Sequence, residues 1–151
     1  MASLDPMPTE LEKALYLEGI RLFNSHEFFE AHEKWEDIWH MAYGLKHSFY
    51  QGMIQCAVAL EHYRRGNPRG VTSLFASYQP KFKDLPDLFM GLQVGEFLKK
   101  MREALSPVID SPRKLEKGEI ELDESTTPVI ELVYDPFETG EAERFNRPEK
   151  F

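Results

Sequence analysis

The stretch His26-Glu27-Phe28-Phe29-Glu30-Ala31-His32-Glu33-Lys34-Trp35-Glu36-Asp37-Ile38-Trp39-His40 decides how the chain is read. It holds both tryptophans and three of the five histidines. On a helix of 3.6 residues per turn, with Phe28 set at zero, Trp39 falls at about 20° and Trp35 at about 340°. Ala42, Ala31 and Ile38 follow at about 320°, 300° and 280°, which completes an apolar stripe. His32 at about 40° and Glu36 at about 80° lie at the edge of that stripe, while Glu30 and Asp37 face the opposite way. The stretch therefore predicts an amphipathic helix over 27–42, with one His and one Glu a turn apart where core meets solvent.

The sequence on either side is helical too. Upstream, Thr9 with Glu12 has capping-box spacing after Pro8, and Leu11, Leu15, Ile20, Leu22 and Phe23 recur at helical intervals. The predicted stop is near Asn24, a residue that tolerates the left-handed conformation. Downstream, 43–47 reads as a loop. A third helix follows over 48–65, apolar almost all round and hence central. Its one polar stripe is Gln51, Gln55 and His62, which calls for internal partners. Gln51 and His62 are about 16 Å apart along the axis, so they cannot meet one ion. Gly66-Asn67-Pro68 closes that helix and opens a fourth, with Asn as cap and Pro in the first turn. Val71, Leu74, Phe75 and Tyr78 mark the fourth helix, which stops before Pro80. Val94, Phe97, Leu98, Met101 and Leu105 mark a fifth, expected to end before Pro107.

The remainder differs in kind. Residues 106–151 carry 12 acidic and 6 basic side chains and five of the ten prolines. Residues 1–105 are nearly balanced, with 14 acidic and 12 basic. The expected organisation is a helical domain over 1–105 and an acidic tail over 106–151, strapped on the body or on a partner chain. Ile120 and Leu122 alternate with acids, and 129–134 is β-prone, so the tail can carry a short hairpin. An isolated hairpin is marginal in water and needs a surface to pack on. The fold class is thus all-α: a five-helix antiparallel bundle or array with an extended tail.

Composition narrows function. A net charge of −8 opposes general nucleic-acid affinity. A single cysteine, Cys56, excludes a disulfide framework and a Cys-based zinc site. No apolar run of membrane length occurs, and the first residues lack a signal-peptide pattern. These readings predict a cytoplasmic protein with no nucleic-acid or membrane partner, and the apolar residues of the tail make homo-oligomerisation through it an open expectation.

The expected polar cluster is His32, Glu36, Gln51, Gln55 and His62, buried between the second and third helices. As structure it joins helices; as chemistry it offers a metal or acid–base site. His32-Glu33-Lys34-Trp35-Glu36 lacks the second histidine of the zincin pattern, and glutamine is a poor ligand for zinc or iron. Arg64, Arg65 and Arg69 flank the start of the fourth helix and mark a candidate small-anion site.

Four segments together resemble a known family: Glu18-Gly19-Ile20 with Leu22-Phe23-Asn24; Phe28-Phe29-Glu30-Ala31-His32-Glu33 with Glu36 and Trp39; Gln51-Gly52-Met53-Ile54-Gln55 with Ala57, Ala59, Leu60 and His62; and Arg65-Gly66-Asn67 with Gly70. This arrangement, over about residues 10–105, is similar to the bacterial and archaeal "domain of unknown function 309". The resemblance implies a small helical bundle and no established activity. The family also carries a "predicted metal-dependent hydrolase" label. By resemblance that label implies His32, Glu33, Glu36 and His62 as ligands of a divalent transition metal, with Glu30 in the motif. Three readings stay open: a structural or binding module, a metal-dependent hydrolase, and a small-anion binder.

Overall fold

The computed structural model describes residues 6–148. Five helices follow one another: α1 Thr9–Asn24, α2 Phe28–Trp39, α3 Gly44–Arg64, α4 Pro68–Tyr78 and α5 Val94–Ile109. Each packs on the next. Side-chain pairings fix antiparallel neighbours at the first two interfaces. Phe23 meets Phe28 and Trp35 meets Tyr16 and Gly19 across α1 and α2. Trp39 stacks with His47, and Arg65 covers Phe29, across α2 and α3. His62 lies on Gly70 at the α3–α4 turn.

The core is aromatic. Tyr16, Phe23, Phe28, Trp35, Phe49 and Tyr50 are wholly buried, and most meet edge-on or tilted at centroid distances between 5 and 6.5 Å. Only five polar residues join them among the described ones: Glu12, Lys46, Glu61, Thr127 and Asn146.

Several boundaries depart from the sequence reading. No capping box forms at α1: Pro8 is the cap residue, Thr9 makes no capping bond, and Glu12 turns inward. Asn24 keeps an ordinary φ, and His26 takes the left-handed turn with φ 65°. Helix α2 stops at Trp39, short of residue 42. The expected loop over 43–47 is instead the first turn of α3, beginning at Gly44, whose φ of 56° turns the chain into the helix. Helix α4 matches its expected ends, and the Asn67 side chain accepts from the Gly70 N–H at 3.3 Å.

Helix α5 runs through Pro107 to Ile109. A proline there leaves the carbonyl four residues back without its donor. The Ser106 hydroxyl donates to that carbonyl, of Glu103, at 2.8 Å, so the helix continues.

No strand pairs within the tail among the described residues. The hairpin lies before α5 instead, with β1 Leu88–Phe89 against β2 Leu92–Gln93. Its turn residues Met90 and Gly91 both have positive φ, 51° and 81°, which is the two-residue turn suited to antiparallel strands.

The tail runs back over the body. Asn24 Oδ1 accepts from the Ile130 N–H at 2.8 Å, and its amide donates to the Ile130 carbonyl at 2.9 Å. The Val133 N–H donates to the Gly91 carbonyl at 2.9 Å. A short 3-10 turn, Glu141–Phe145, packs on α3, and the Tyr43 N–H just ahead of that helix donates to the Phe145 carbonyl at 3.0 Å. No described helix is long and apolar enough to cross a membrane.

Candidate functional site

The five residues of the expected polar cluster do not gather. On α2, the His32 ring is anchored to its own helix: its Nδ1–H donates to the Phe29 carbonyl. That bond leaves Nε2 turned to Glu36, whose carboxylate is 3.7 Å away, beyond hydrogen-bond length. Glu36 is 48% exposed, so it is a rim residue and not the buried partner the helical angles suggested. The angle was read correctly, but a glutamate at a stripe edge can carry its charge out into water.

On α3, His62 faces α4. Asn67 donates to its Nδ1 at 3.1 Å, and the ring lies so close to Gly70 that a Cβ there would come within 2.4 Å of it. Gln51 is half-buried and makes no side-chain hydrogen bond among the described residues. The Gln55 amide oxygen is buried and unpaired. None of the five is fully buried, and no hydrogen bond joins one to another across α2 and α3 among the described residues.

The metal set implied by resemblance fares similarly. Glu33 and Glu30 are exposed on α2, and His62 is engaged at the α3–α4 turn. No three His, Cys, Asp or Glu side chains are grouped to share an ion among the described residues. His32, Glu33, Glu36 and His62 as arranged here therefore do not fit the ligand shell of a transition metal, which needs at least three protein ligands in a catalytic zinc site.

The arginines divide. Arg64 and Arg65 both reach the buried carboxylate of Glu61, at 2.5 and 2.6 Å. Burial alone would raise the Glu61 carboxyl, but the two guanidinium hydrogen bonds hold it below the ordinary glutamate range. Both arginines are thus committed inside the chain. Arg69 is exposed and makes no ion pair among the described residues. It lines a cleft of about 280 Å³ with Pro68, Thr72, Val108, Arg113, Lys114 and Leu115. Arg113 is held by Glu119 at 2.6 Å, and Lys114 makes no ion pair among the described residues. The cleft has apolar walls from Pro68, Val108 and Leu115 and a cationic rim drawn from α4 and from the chain after α5. Arg113 and Lys114 escaped the sequence reading because they sit in the acidic tail, more than 40 residues from Arg69, with no local pattern linking them.

A second polar centre was missed altogether. Lys46 and Glu12 are wholly buried and paired at 2.9 Å. Lys46 also donates to the Ala142 carbonyl and to Asn146 Oδ1 of the tail. Tyr50 donates to Glu12 at 2.5 Å. Burial pushes the Lys46 ammonium down, and Glu12 opposes that shift without cancelling it. Burial and the Glu12 charge push the Tyr50 hydroxyl well up. Every donor and acceptor here has a protein partner, so the centre is a closed structural network.

Comparison with known proteins places the helical body. Residues 16–74 match the model of the family described as "Domain of unknown function (DUF309)". The resemblance read from the sequence is borne out over that segment, which spans most of α1 through most of α4. A protein of Aquifex aeolicus (strain VF5), itself called uncharacterized, is 28% identical over 95 residues. That match covers 62% of this chain and only 28% of the Aquifex protein, so the chain spans well under half the length of that relative.

Proposed function

We propose that the chain is a non-enzymatic binding module that takes a small organic anion in the cleft beside the start of α4. The observation that carries this reading is the convergence of Arg69, Arg113 and Lys114 on one walled cleft in a chain of net charge −8. With Arg113 balanced by Glu119, the rim keeps two uncommitted cations, which suits a group with two negative charges, such as a phosphate monoester. The Pro68, Val108 and Leu115 walls suit an apolar moiety attached to it. The first turn of α4 adds its positive dipole end to the same region.

In this reading the body over 1–105 and the tail over 106–151 are not separable in function, because Arg69 belongs to one and Arg113 and Lys114 to the other. The acidic balance supports a small ligand over a nucleic acid.

Calorimetric titration with phenyl phosphate and with inorganic phosphate tests the proposal. Phenyl phosphate should bind more tightly, and the double variant Arg69→Ala, Lys114→Ala should weaken it by about 10-fold or more, the loss expected for removing charge-assisted contacts. Arg64→Ala should leave binding unchanged. Equal weak heats for all variants would overturn the proposal.

A further inference from the structure

Burial alternates along 129–133. Val129 is 64% exposed, Ile130 is buried, Glu131 is exposed, Leu132 is half-buried, and Val133 is 52% exposed. Period-two alternation marks an extended segment. Val129 and Val133 are also the most exposed large apolar side chains among the described residues. Asn24 grips both backbone groups of Ile130 and so ties one edge of the segment to the body. The other edge is held at Val133, where the chain bends and the N–H donates to the Gly91 carbonyl, and is open only at Val129 and Glu131. The backbone N–H and C=O groups of Val129 and Glu131, two residues apart, have no protein partner among the described residues. Beside that edge lies a groove of about 490 Å³, lined on the far side by Leu92, Phe97, Glu96 and Lys100.

An open edge flanked by exposed valines is a template for strand addition unless something blunts it. No lysine or proline interrupts 129–133. The charge of the groove selects the occupant. Lys100 is its one cation and lies 4.0 Å from Glu96, while Glu131 has no ion-pair partner among the described residues. Self-pairing of this short edge about a twofold axis would set Glu131 against its own copy and bring together two chains of charge −8. We propose that this edge receives a short extended segment of a partner protein in which apolar residues alternate with basic ones, laid beside 129–131 by main-chain hydrogen bonds to Val129 and Glu131. Alternate side chains would enter the groove, and a basic residue would answer Glu131. This surface is separate from the cationic cleft and does not depend on it.

The test uses the full chain and a fluorescein-labelled Val-Lys-Val-Lys-Val amide, with two control peptides. One replaces lysine by glutamate, and the other is N-methylated at alternate amides. Fluorescence anisotropy should show saturable binding of the basic peptide, with the acidic and the N-methylated peptides weaker by about 10-fold or more, the scale of one lost main-chain or charged contact. Glu131→Lys, at an exposed position, should reverse the charge preference while leaving the melting temperature unchanged. Equal binding of basic and acidic peptides, indifference to N-methylation, or no binding at millimolar peptide would each overturn the proposal. So would concentration-dependent dimerisation abolished by Val133→Glu, which would give the edge to a second copy.

Discussion

Lys46 shows what a single buried charge demands. An isolated ammonium in a protein interior costs several kcal/mol, and only a full set of partners makes it tolerable. Here the set is Glu12 from α1, Ala142 and Asn146 from the tail, and Tyr50 supporting Glu12 from the next turn of α3. Lys46→Met should therefore lower unfolding free energy by about 3–5 kcal/mol, because Glu12 is left charged and buried. Adding Glu12→Leu to that variant should recover part of the loss, giving a coupling above about 1 kcal/mol in a denaturant-melt cycle. Additive losses would mean that the pair contributes nothing as a pair. None of this was legible locally. Glu12 stood at a capping-box position, Lys46 followed a Tyr-Gly that reads as a break, and their last partner lies 100 residues further on. Helical angles find who shares a face, and they cannot find who arrives from a distant segment. The same limit explains His32 and Glu36: their face was right, but exposure depends on which residue of the neighbouring element fills the space.

At the scale of elements, long periodic segments were readable, as were the ends of α4, while several other ends were not. The stripe through Phe28, Ala31, Trp35 and Ile38 is wholly buried as its angles required. The ends shifted where a side chain off the stripe intervened, as with Ser106 sustaining α5 past Pro107. Close helix approach leaves a sharper mark. At Gly19 the α1 backbone passes so near α2 that a Cβ would lie 2.1 Å from Trp35 Nε1. That nitrogen donates to the Tyr16 carbonyl at 3.2 Å, so the indole is pinned in the contact and cannot swing away cheaply. Gly19→Ala would gain helix propensity of up to about 1 kcal/mol on an open surface. Here overpacking should outweigh that gain, with a net loss of about 1–3 kcal/mol and altered tryptophan fluorescence. An unchanged melt with an unchanged emission maximum would show that α1 and α2 can separate freely.

At the scale of the whole molecule, the question is whether the tail completes the body or merely lies on it. The tail contributes buried Ile130, Ala142 and Asn146, and two of the acceptors around Lys46. Its apolar excess was visible in the sequence, but its route was not, since the anchoring groups are Asn24, Gly91 and Lys46, which have no sequence pattern in common. Two truncations separate the contributions. A chain ending at residue 140 loses the Lys46 acceptors and the buried Ala142 but keeps Ile130 on Asn24. A chain ending at residue 107 loses all of them. Two charge-assisted bonds at about 1.5–3 kcal/mol each make the first cut costly even after the ordering entropy of a short segment is returned. The shorter truncation should therefore lower stability by at least about 3 kcal/mol, or about 6–12 °C in melting temperature for a chain of this size. The longer one should go further, bind a hydrophobic dye through the uncovered body, and self-associate in gel filtration, because an exposed apolar face of that extent is rarely left open in water. If the chain ending at residue 140 melts with the intact protein while the chain ending at 107 does not, then Ile130 and its neighbours hold the tail and the Lys46 network contributes little. If both melt with the intact protein, the body is self-sufficient and the tail's apolar residues serve an outside partner.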